Sequence, residues 1–215
     1  MINKEYKILD ELLTRYPILK RNRMEIQNAF RILEECYRNE GKLLVAGNGG
    51  SAADSEHIVG ELMKGFIKRR PISEDEAEWM ERIDQELGRN LAEKLQGALP
   101  AISLVGHPSL STAYLNDIEP VLGFAQQVYG LGKRKDVLWA ITTSGNSKNI
   151  LYAAVVAKAK GMKVVALTGG TGGKIKNYAD ISIIVDEKET YKIQELHLPI
   201  YHALCLMLEN QFFKE

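Results

Sequence analysis

The sequence predicts an α/β domain whose parallel sheet is covered by helices on both faces. Short apolar runs of strand length alternate along the chain with stretches of helical periodicity. Two of these runs end in loops rich in glycine and hydroxyl side chains, and a helical pattern follows each loop. Strands that are apolar on both faces are typical of parallel sheets between two helix layers. A length of 215 residues with 45% hydrophobic residues fits one domain with a sizeable core.

The N-terminal segment, residues 1 to 40, is predicted to be helical. Its apolar side chains recur with helical spacing on both sides of Pro17, at Leu9, Leu12, Leu13, Ile26, Phe30, Ile32 and Leu33. Proline is unfavourable inside a helix, so Pro17 is expected to separate two helices. Gly41 is a suitable end for the second helix.

Five apolar runs are the predicted strands of the sheet. They comprise residues 42 to 46, 101 to 105, 136 to 141, 163 to 167, and 181 to 185. The predicted helices include one directly after residues 47 to 51, one over 148 to 160, and a last one over about 190 to 213. Ligands of such sheets bind at the C-terminal ends of the strands, and both polar loops are expected there.

An inserted helical segment, residues 67 to 99, interrupts the alternation. Its sequence from Ser73 to Glu76 has the pattern of a capping box. Large apolar residues then recur every four positions, at Trp79, Ile83, Leu87, Leu91 and Leu95. This pattern predicts an amphipathic helix with Gly88 as the candidate break. The segment either packs on its own or a neighbouring subunit, or forms a lid over the active site.

The composition argues against several classes of function. Lys plus Arg and Asp plus Glu both number 28, so bulk charge favours neither a nucleic-acid nor a membrane partner. No apolar run approaches the roughly 20 residues that span a bilayer, and the N-terminus lacks an apolar signal region. We therefore expect a cytoplasmic protein. Cys36 and Cys205 lie in apolar helical stretches and are expected to be free thiols.

The loop over residues 142 to 147 is a candidate phosphate site. Thr142, Thr143, Ser144 and Ser147 supply four hydroxyls just before a predicted helix. The N–H groups at a helix start are unpaired and carry partial positive charge, so an anion gains donors there without a lysine. The alternative is a polar turn in which Ser147 is a simple helix N-cap.

The earlier loop, Gly47 to Ser51, has glycines that allow a ligand to approach the backbone closely. By itself this pattern is weak. It lacks the third glycine and acidic residue of the dinucleotide fingerprint, and it lacks the Gly-Lys-Ser/Thr of a P-loop.

Four further side chains are candidates for chemistry. His57 and Glu61 are four residues apart on one predicted helix, and Gln194 and His202 are eight apart on another, so each pair shares a helix face. If the two helices meet, the four groups converge. They would suit Zn²⁺, or acid–base catalysis without a metal. Taken singly, each pair also fits a solvated or core-satisfied pair.

Together these motifs carry a resemblance to a known family. GNGGSAADSEHIVGEL at 47 to 62, TTSGNSKN at 142 to 149 and IQELHLPIYH at 193 to 202 resemble the phosphoheptose isomerases, which are built on a SIS (sugar isomerase) domain. The resemblance covers nearly the whole chain apart from residues 67 to 99. It implies a single SIS domain over 1 to 215 with a flavodoxin-like sheet. It also implies a homotetramer with sites between subunits.

The resemblance also implies residue roles. Phosphate is held by the Thr142 to Ser147 loop, and the sugar is contacted from Asn48, Gly49, Gly50, Ser51, Asp117 and Gln194. The catalytic glutamate and histidine fall on Glu61 and His202. Some members bind zinc, and the matching ligands here are His57, Glu61, Gln194 and His202.

The implied reaction converts sedoheptulose 7-phosphate to D-glycero-D-manno-heptose 7-phosphate through an enediol, with Glu61 as base and His202 as acid. Zinc bound by these two residues would weaken that role. The alternative is a non-catalytic SIS protein that binds a sugar phosphate, or a protein as the replication-initiator-associating type does. The chain departs from the family at Gly65, where a basic residue is usual and Lys64 or Lys68 is the candidate replacement, and at Tyr191, where Asp is common.

Overall fold

The structure, a computed structural model, describes residues 4 to 213 and contains one five-stranded sheet. The strands are β1 (Leu43–Ala46), β2 (Ala101–Ser103), β3 (Val137–Ile141), β4 (Lys163–Gly169) and β5 (Ile181–Val185). Their order is β2-β1-β3-β4-β5, and every neighbouring pair is parallel. This is the flavodoxin-like order. The predicted fold class is confirmed, and all five predicted runs contain a strand.

Helices cover both faces of the sheet. They are α1 (Lys4–Arg15), α2 (Arg23–Arg38), α3 (Gly50–Met63), α4 (Glu74–Ile83), α5 (Gln85–Lys94), α6 (Pro108–Asp117), α7 (Gly123–Leu131), α8 (Lys148–Ala159) and α9 (Thr190–Phe212). One apolar core lies between the sheet and α1, α2, α3 and α9, and includes Trp139. The other lies between the sheet and α7 and α8, and includes Leu138. Because neighbouring strand residues point to opposite faces, β3 supplies both cores.

The register brings the two polar loops to one edge of the sheet. Leu43 of β1 pairs with Val137 of β3, and Ala46 pairs with Ala140. The neighbouring strands β1 and β3 therefore end at nearly the same level, and the loops that follow them lie side by side, as predicted.

Pro17 separates the two N-terminal helices, as predicted. A short 3₁₀ turn, Pro17–Asn22, joins α1 to α2. Asn22 is buried and donates from Nδ2 to the carbonyl of Ile184, at 2.9 Å, which ties this turn to β5. Residues 1 to 3 of the predicted helical segment lie outside the described residues.

The insertion forms a helical hairpin, α4 and α5, and the predicted break near Gly88 is wrong. The capping box is confirmed, since Ser73 and Glu76 bond each other's backbone N–H. The break lies at Asp84, whose carboxylate caps α5 by accepting from the N–H groups of Glu86 and Leu87. Gly88 lies inside α5, where a Cβ atom would be 2.3 Å from the carbonyl of Met80. The glycine therefore lets the two helices approach closely.

Two helices between β2 and β3 were not indicated by the apolar pattern. α6 has no buried residue, so it carries no apolar stripe to recognise. α7 is short and buries small or polar side chains such as Ala125 and Gln127. Within residues 4 to 213, no helix is both long enough and apolar enough to cross a membrane.

Candidate active site

The two polar loops form a cavity of about 310 Å³ at the C-terminal ends of β1 and β3. Its lining residues are Asn48, Gly49, Gly50, Ser51, Ile141, Thr142, Thr143, Ser147, Thr190 and Gln194. We call it the phosphate-loop pocket. Eight of its lining residues were predicted substrate contacts, and Ser144, also predicted, is exposed on the same loop. No lysine or arginine is among these described lining residues.

The loop before α8 leaves helix N–H groups available to an anion. Ser147 occupies the N-cap position, but its side chain does not cap the helix. Its hydroxyl instead lies 3.1 Å from Oγ1 of Thr142, inside the pocket wall. Gly145 has a φ of 66°, and a Cβ there would be 2.1 Å from the carbonyl of Gly172. The backbone is therefore packed tightly behind the hydroxyls, which fixes their direction.

The loop before α3 presents a second helix start to the same pocket. Gly49, the N-cap of α3, has a φ of 56° and no side chain to cap the helix. Asn48 joins the two loops through a mutual amide pair with Asn149, at 3.0 and 2.8 Å. Gln194 lies directly against Gly50, where a Cβ would be 2.6 Å from its Nε2. Two helix N-termini thus face one pocket, the arrangement that binds phosphate without cationic side chains.

A second group of functional side chains lies where α3 crosses α9. His57 Nε2 is 3.2 Å from Oε1 of Glu61 and 3.4 Å from Nε2 of His202. The Nδ1 atom of His57 is 3.0 Å from the hydroxyl of Tyr201, which donates to Asp54 at 3.2 Å. We call these five residues the acid–base cluster. The two helices meet as predicted, and they bring together three of the four predicted residues, His57, Glu61 and His202.

The environment of His202 favours its neutral form. Burial lowers the pKa of His202, the neighbouring His57 lowers it further, and Glu61 partly opposes both. A neutral imidazole can both accept and donate a proton near pH 7. His202 also lines a cleft of about 430 Å³ together with apolar side chains of α1 and α9, among them Leu12 and Leu198. The cluster is therefore open to a ligand on this side.

Burial also perturbs the two residues that hold His57. It raises the pKa of Asp54, although the hydrogen bond from Tyr201 and the proximity of His57 oppose this change. It raises the pKa of Tyr201 as well, and Asp54 adds to the effect. Tyr201 thus stays a hydroxyl donor that fixes the ring of His57 between Asp54 and Glu61.

Some predicted residues lie away from the acid–base cluster. Gln194 is in the other site, and Asp117 is in neither. Gln194 lines the phosphate-loop pocket, because eight residues along α9 correspond to about 12 Å. Asp117, at the end of α6, is exposed, and its carboxylate accepts from Asn116 at 2.7 Å. Lys68 donates to the carbonyl of Phe213, at 2.8 Å, whereas Lys64 lies 3.5 Å from Oε2 of Glu61. Of the two candidate basic replacements, Lys64 is the one beside the glutamate.

In the part of the chain that the structure describes, no group of three or more His, Cys, Asp or Glu side chains is arranged to hold a metal ion. Gln194, the fourth residue of the predicted zinc set, packs against Gly50 in the phosphate-loop pocket. Within one chain, therefore, Gln194 does not join His57, Glu61 and His202, and zinc binding by the four residues stays a prediction.

Three contributing residues were not predicted from the sequence. Asn149 holds Asn48, and Tyr201 with Asp54 orients His57. Asp54 carried a usable signal, since it lies three residues before His57 and seven before Glu61 on one helix face. Tyr201 had none, because an aromatic residue in an apolar helix is usually core.

Comparison with known proteins agrees with this geometry. The SIS domain family profile matches residues 9–103 and 79–169. The phosphoheptose isomerase of Nitratiruptor sp. is 36% identical over 208 residues, covering 97% of each chain. That of Leptospira biflexa is 37% identical over 207 residues, covering 96% of this chain and 94% of its own.

Solved structures agree with the sequence relatives. The phosphoheptose isomerase of Neisseria gonorrhoeae superimposes with a TM-score of 0.71 at 31% identity, covering 96% of this chain and 93% of its own. The enzyme from Francisella tularensis gives a TM-score of 0.70 at 32% identity, with 96% and 92% covered. The chain belongs to the SIS-domain family and, within it, to the phosphoheptose isomerases, a family of phosphosugar isomerase enzymes.

Proposed function

We propose that this isomerase converts sedoheptulose 7-phosphate to D-glycero-D-manno-heptose 7-phosphate through an enediol. The observation that carries the proposal is the contact of Glu61 and His202 with the same nitrogen of His57, at 3.2 and 3.4 Å. A carboxylate and a neutral imidazole side by side supply the base and the acid that aldose–ketose isomerisation needs. The relatives named above as phosphoheptose isomerases support the choice of a seven-carbon substrate.

The phosphate supplies binding energy remote from the reacting carbons. In this proposal it sits in the phosphate-loop pocket against the first N–H groups of α3 and α8 and the hydroxyls of Thr142, Thr143 and Ser147. Anchoring one end of the open-chain sugar restricts the motion of the other end. The reacting carbons are then held near the acid and the base, which lowers the entropic part of the barrier.

The proton transfers follow from the cluster. Glu61 removes a proton from C1 of the ketose, and the electrons of that C–H bond form the C1–C2 double bond of the enediol. His202 donates a proton to the former carbonyl oxygen at C2 and accepts the proton from the oxygen at C1. Glu61 then returns its proton to C2, which leaves the carbonyl at C1. Lys64 and His57 flank the carboxylate of Glu61, at 3.5 and 3.2 Å.

We further propose that each complete site uses two copies of the chain within a homotetramer. From Gly50 to Glu61 there are eleven residues of α3, which span about 16 Å. A seven-carbon phosphate ester reaches only about 10 Å from phosphorus to C1, at about 1.2 Å per bond. The substrate is therefore shorter than the separation of the two sites along α3, and in this proposal a second copy brings its cluster to the first copy's pocket.

Zinc and the cellular compartment stay predictions. Zinc binding would have to draw Gln194 or a water into the cluster, and metal analysis of the purified protein tests it. We propose a cytoplasmic location, supported by two cysteines, Cys36 and Cys205, that are buried free thiols, as is usual in a reducing compartment.

The first experiment is turnover of sedoheptulose 7-phosphate by purified protein, with and without added Zn²⁺, beside the Glu61→Gln variant. The proposal expects aldose formation by the wild type in both conditions and loss of at least about 10³-fold in kcat for Glu61→Gln. A folded wild type that binds the sugar phosphate without converting it would contradict the proposal. That result would favour another sugar or the non-catalytic binding class.

A further inference from the structure

We propose that Arg70 is a positioning residue that holds the proposed base, Glu61, in its reactive position. The inference rests on the proposed isomerase function. Arg70 follows α3 by seven residues, and no sequence motif marks it as functional. Its side chain is completely buried, which is unusual for arginine and requires that its charge and its donors be matched.

The guanidinium of Arg70 caps the C-terminal end of α3. Nη1 donates to the carbonyl of Leu62 at 2.8 Å, and Nη2 donates to the carbonyl of Glu61 itself at 3.1 Å. The last carbonyls of a helix have no partner within the helix and carry partial negative charge. A buried cation there satisfies both carbonyls and fixes the turn that carries Glu61.

Glu209 of α9 compensates the charge of Arg70. Its carboxylate accepts from Nε of Arg70 at 2.8 Å and from the N–H groups of Phe66, Ile67 and Lys68 at 2.8, 3.0 and 3.3 Å. Burial by itself raises the pKa of Glu209, but these hydrogen bonds and the charge of Arg70 outweigh it and hold the pKa below its usual value. The pair is thus ionised, and every nitrogen of the guanidinium and both oxygens of the carboxylate have a hydrogen-bond partner.

The same arginine also fixes the base of the inserted hairpin. Its carbonyl accepts from the N–H of Gly97 at 2.7 Å, and the ring of Phe213 lies 4.5 Å from its guanidinium. The N–H of Leu99 donates to the carbonyl of Leu62 at 2.9 Å. Arg70 therefore joins the end of α3, the end of α9 and both ends of the insertion.

The side chain of Glu61 has few other restraints. Its carboxylate contacts His57, which is 42% exposed, and Lys64, which is 59% exposed. Contacts with such exposed groups are weak and screened. The completely buried Arg70, which bonds the backbone carbonyl of Glu61, is therefore a rigid support of the base at the end of α3. A displacement of about 1 Å at a reacting group costs about 10²-fold in rate.

The test compares Arg70→Lys with a matched variant remote from Glu61. Asp136→Asn is the match, because Asp136 is also a buried carboxylate in an ion pair, with Lys42, and accepts from the N–H groups of Lys42 and Lys133 at 3.0 and 2.8 Å. Asp136 directly precedes β3, so it lies at the N-terminal ends of the strands, away from the two candidate sites. Both variants should lower the melting temperature, because each weakens a buried ion pair, so destabilisation alone predicts similar effects on activity.

We expect Arg70→Lys to lower kcat by about 10- to 100-fold, while KM changes by less than about threefold because the phosphate-loop pocket is untouched. Asp136→Asn should leave kcat per folded molecule within about twofold of the wild type. In a Glu61→Gln background, Arg70→Lys should have no further effect on the residual rate, because it acts through Glu61. Equal losses of kcat in Arg70→Lys and Asp136→Asn, or full additivity with Glu61→Gln, would overturn the inference.

A second variant and a second readout keep the test decisive. If Arg70→Lys does not fold, Glu209→Gln is the second variant. It weakens the ion pair that holds the guanidinium of Arg70 and should also lower kcat. Hydrogen exchange of the last-turn amides of α3 should rise in the Arg70 or Glu209 variant and not in Asp136→Asn. Faster exchange with unchanged kcat would refute positioning. An inactive wild type would instead refute the proposed function, so the two failures are distinguishable.

Discussion

The phosphate-loop pocket and the acid–base cluster lie at opposite ends of α3 and are built in different ways. The pocket consists of helix N-termini and hydroxyls held by internal hydrogen bonds, such as those between Thr142 and Ser147 and between Asn48 and Asn149. The cluster consists of ionisable side chains at a helix crossing, where His57 is 42% exposed. The difference teaches that one chain carries a preformed pocket, which we propose binds the phosphate, and an open group of ionisable side chains, which we propose is catalytic, about 16 Å apart by helix length.

The largest expected effect tests whether the two sites work on one substrate across two copies. Glu61→Gln and Ser144→Asp should each be nearly inactive, the first without its base and the second with an anion against the phosphate. Co-expressed, they should recover about a quarter of the wild-type kcat, since random assembly makes about half the pairs mixed, with one intact site each. Steady-state turnover of the mixed protein checks this.

The matched control is co-expression of Glu61→Gln with His202→Gln. Both changes fall in the acid–base cluster, so mixing them creates no intact site and no activity should return. If activity returns in this control, or does not return in the first mixture, the proposed sharing of one substrate between two copies of the chain is contradicted.

The second prediction separates chemistry from binding. His202→Gln should lower kcat by about 10²-fold, the usual contribution of one general acid, with phosphate affinity unchanged. Glu195→Gln, an exposed change on the same helix, is the control and should be close to wild type. Kinetics together with calorimetric titration of the sugar phosphate check the prediction, and a loss of affinity equal to the loss of rate would contradict it.

The third prediction concerns His197, which lies on α9 between Gln194 and His202 and is fully buried. Burial lowers the pKa of His197 to about 4, an effect that the nearby backbone of Thr168 only partly offsets. The unfolded chain binds this proton near pH 6.5 and the folded chain does not. The free energy of unfolding should therefore fall by about 2 kcal/mol between pH 7 and pH 5 on account of this residue.

Urea denaturation at the two pH values checks this third prediction. His197→Gln should lose the corresponding part of the pH dependence, while the other titrating groups contribute equally to both proteins. An unchanged difference between pH 7 and pH 5 in the variant would mean that His197 stays accessible to protons in the folded state.

The smallest expected effect lies in the pocket. Thr142→Val removes one hydroxyl that is only 3% exposed and should raise KM about tenfold with kcat nearly unchanged, since one hydrogen bond to a charged group is worth about 1.5 kcal/mol or slightly more. Measured kcat and KM check it. A change confined to kcat would mean that the pocket and the cluster are less independent than their geometry indicates.

Sequence reasoning predicted the regular parts of the fold better than the contacts. Apolar runs such as 163 to 167 identified every strand, because strands buried on both faces are continuously apolar. The exposed helix α6 carried no such signal. Glycine is unfavourable in helices, so the sequence predicts a break near Gly88, whereas the structure has Gly88 inside α5 and packed closely on Met80.

In the candidate site, too, local features were easier to predict from the sequence than contacts between distant elements. Residues whose role depends on one loop, such as Thr142 and Ser147, were predicted from the sequence and its resemblance. Residues whose role depends on two helices crossing, such as Tyr201 on His57, were not. Arg70 and Glu209 are 139 positions apart, and no spacing rule links them.

The hairpin's two ends meet in a bridge between Pro71 and Gln96, which are therefore about 5 Å apart. Because its ends are adjacent, the segment can be lengthened, shortened or replaced by a tight turn without altering the path of the chain on either side. Natural variation in this enzyme can therefore accumulate in α4 and α5, while the frame around the proposed base stays constant. The same junction is a practical insertion point for tags or binding modules.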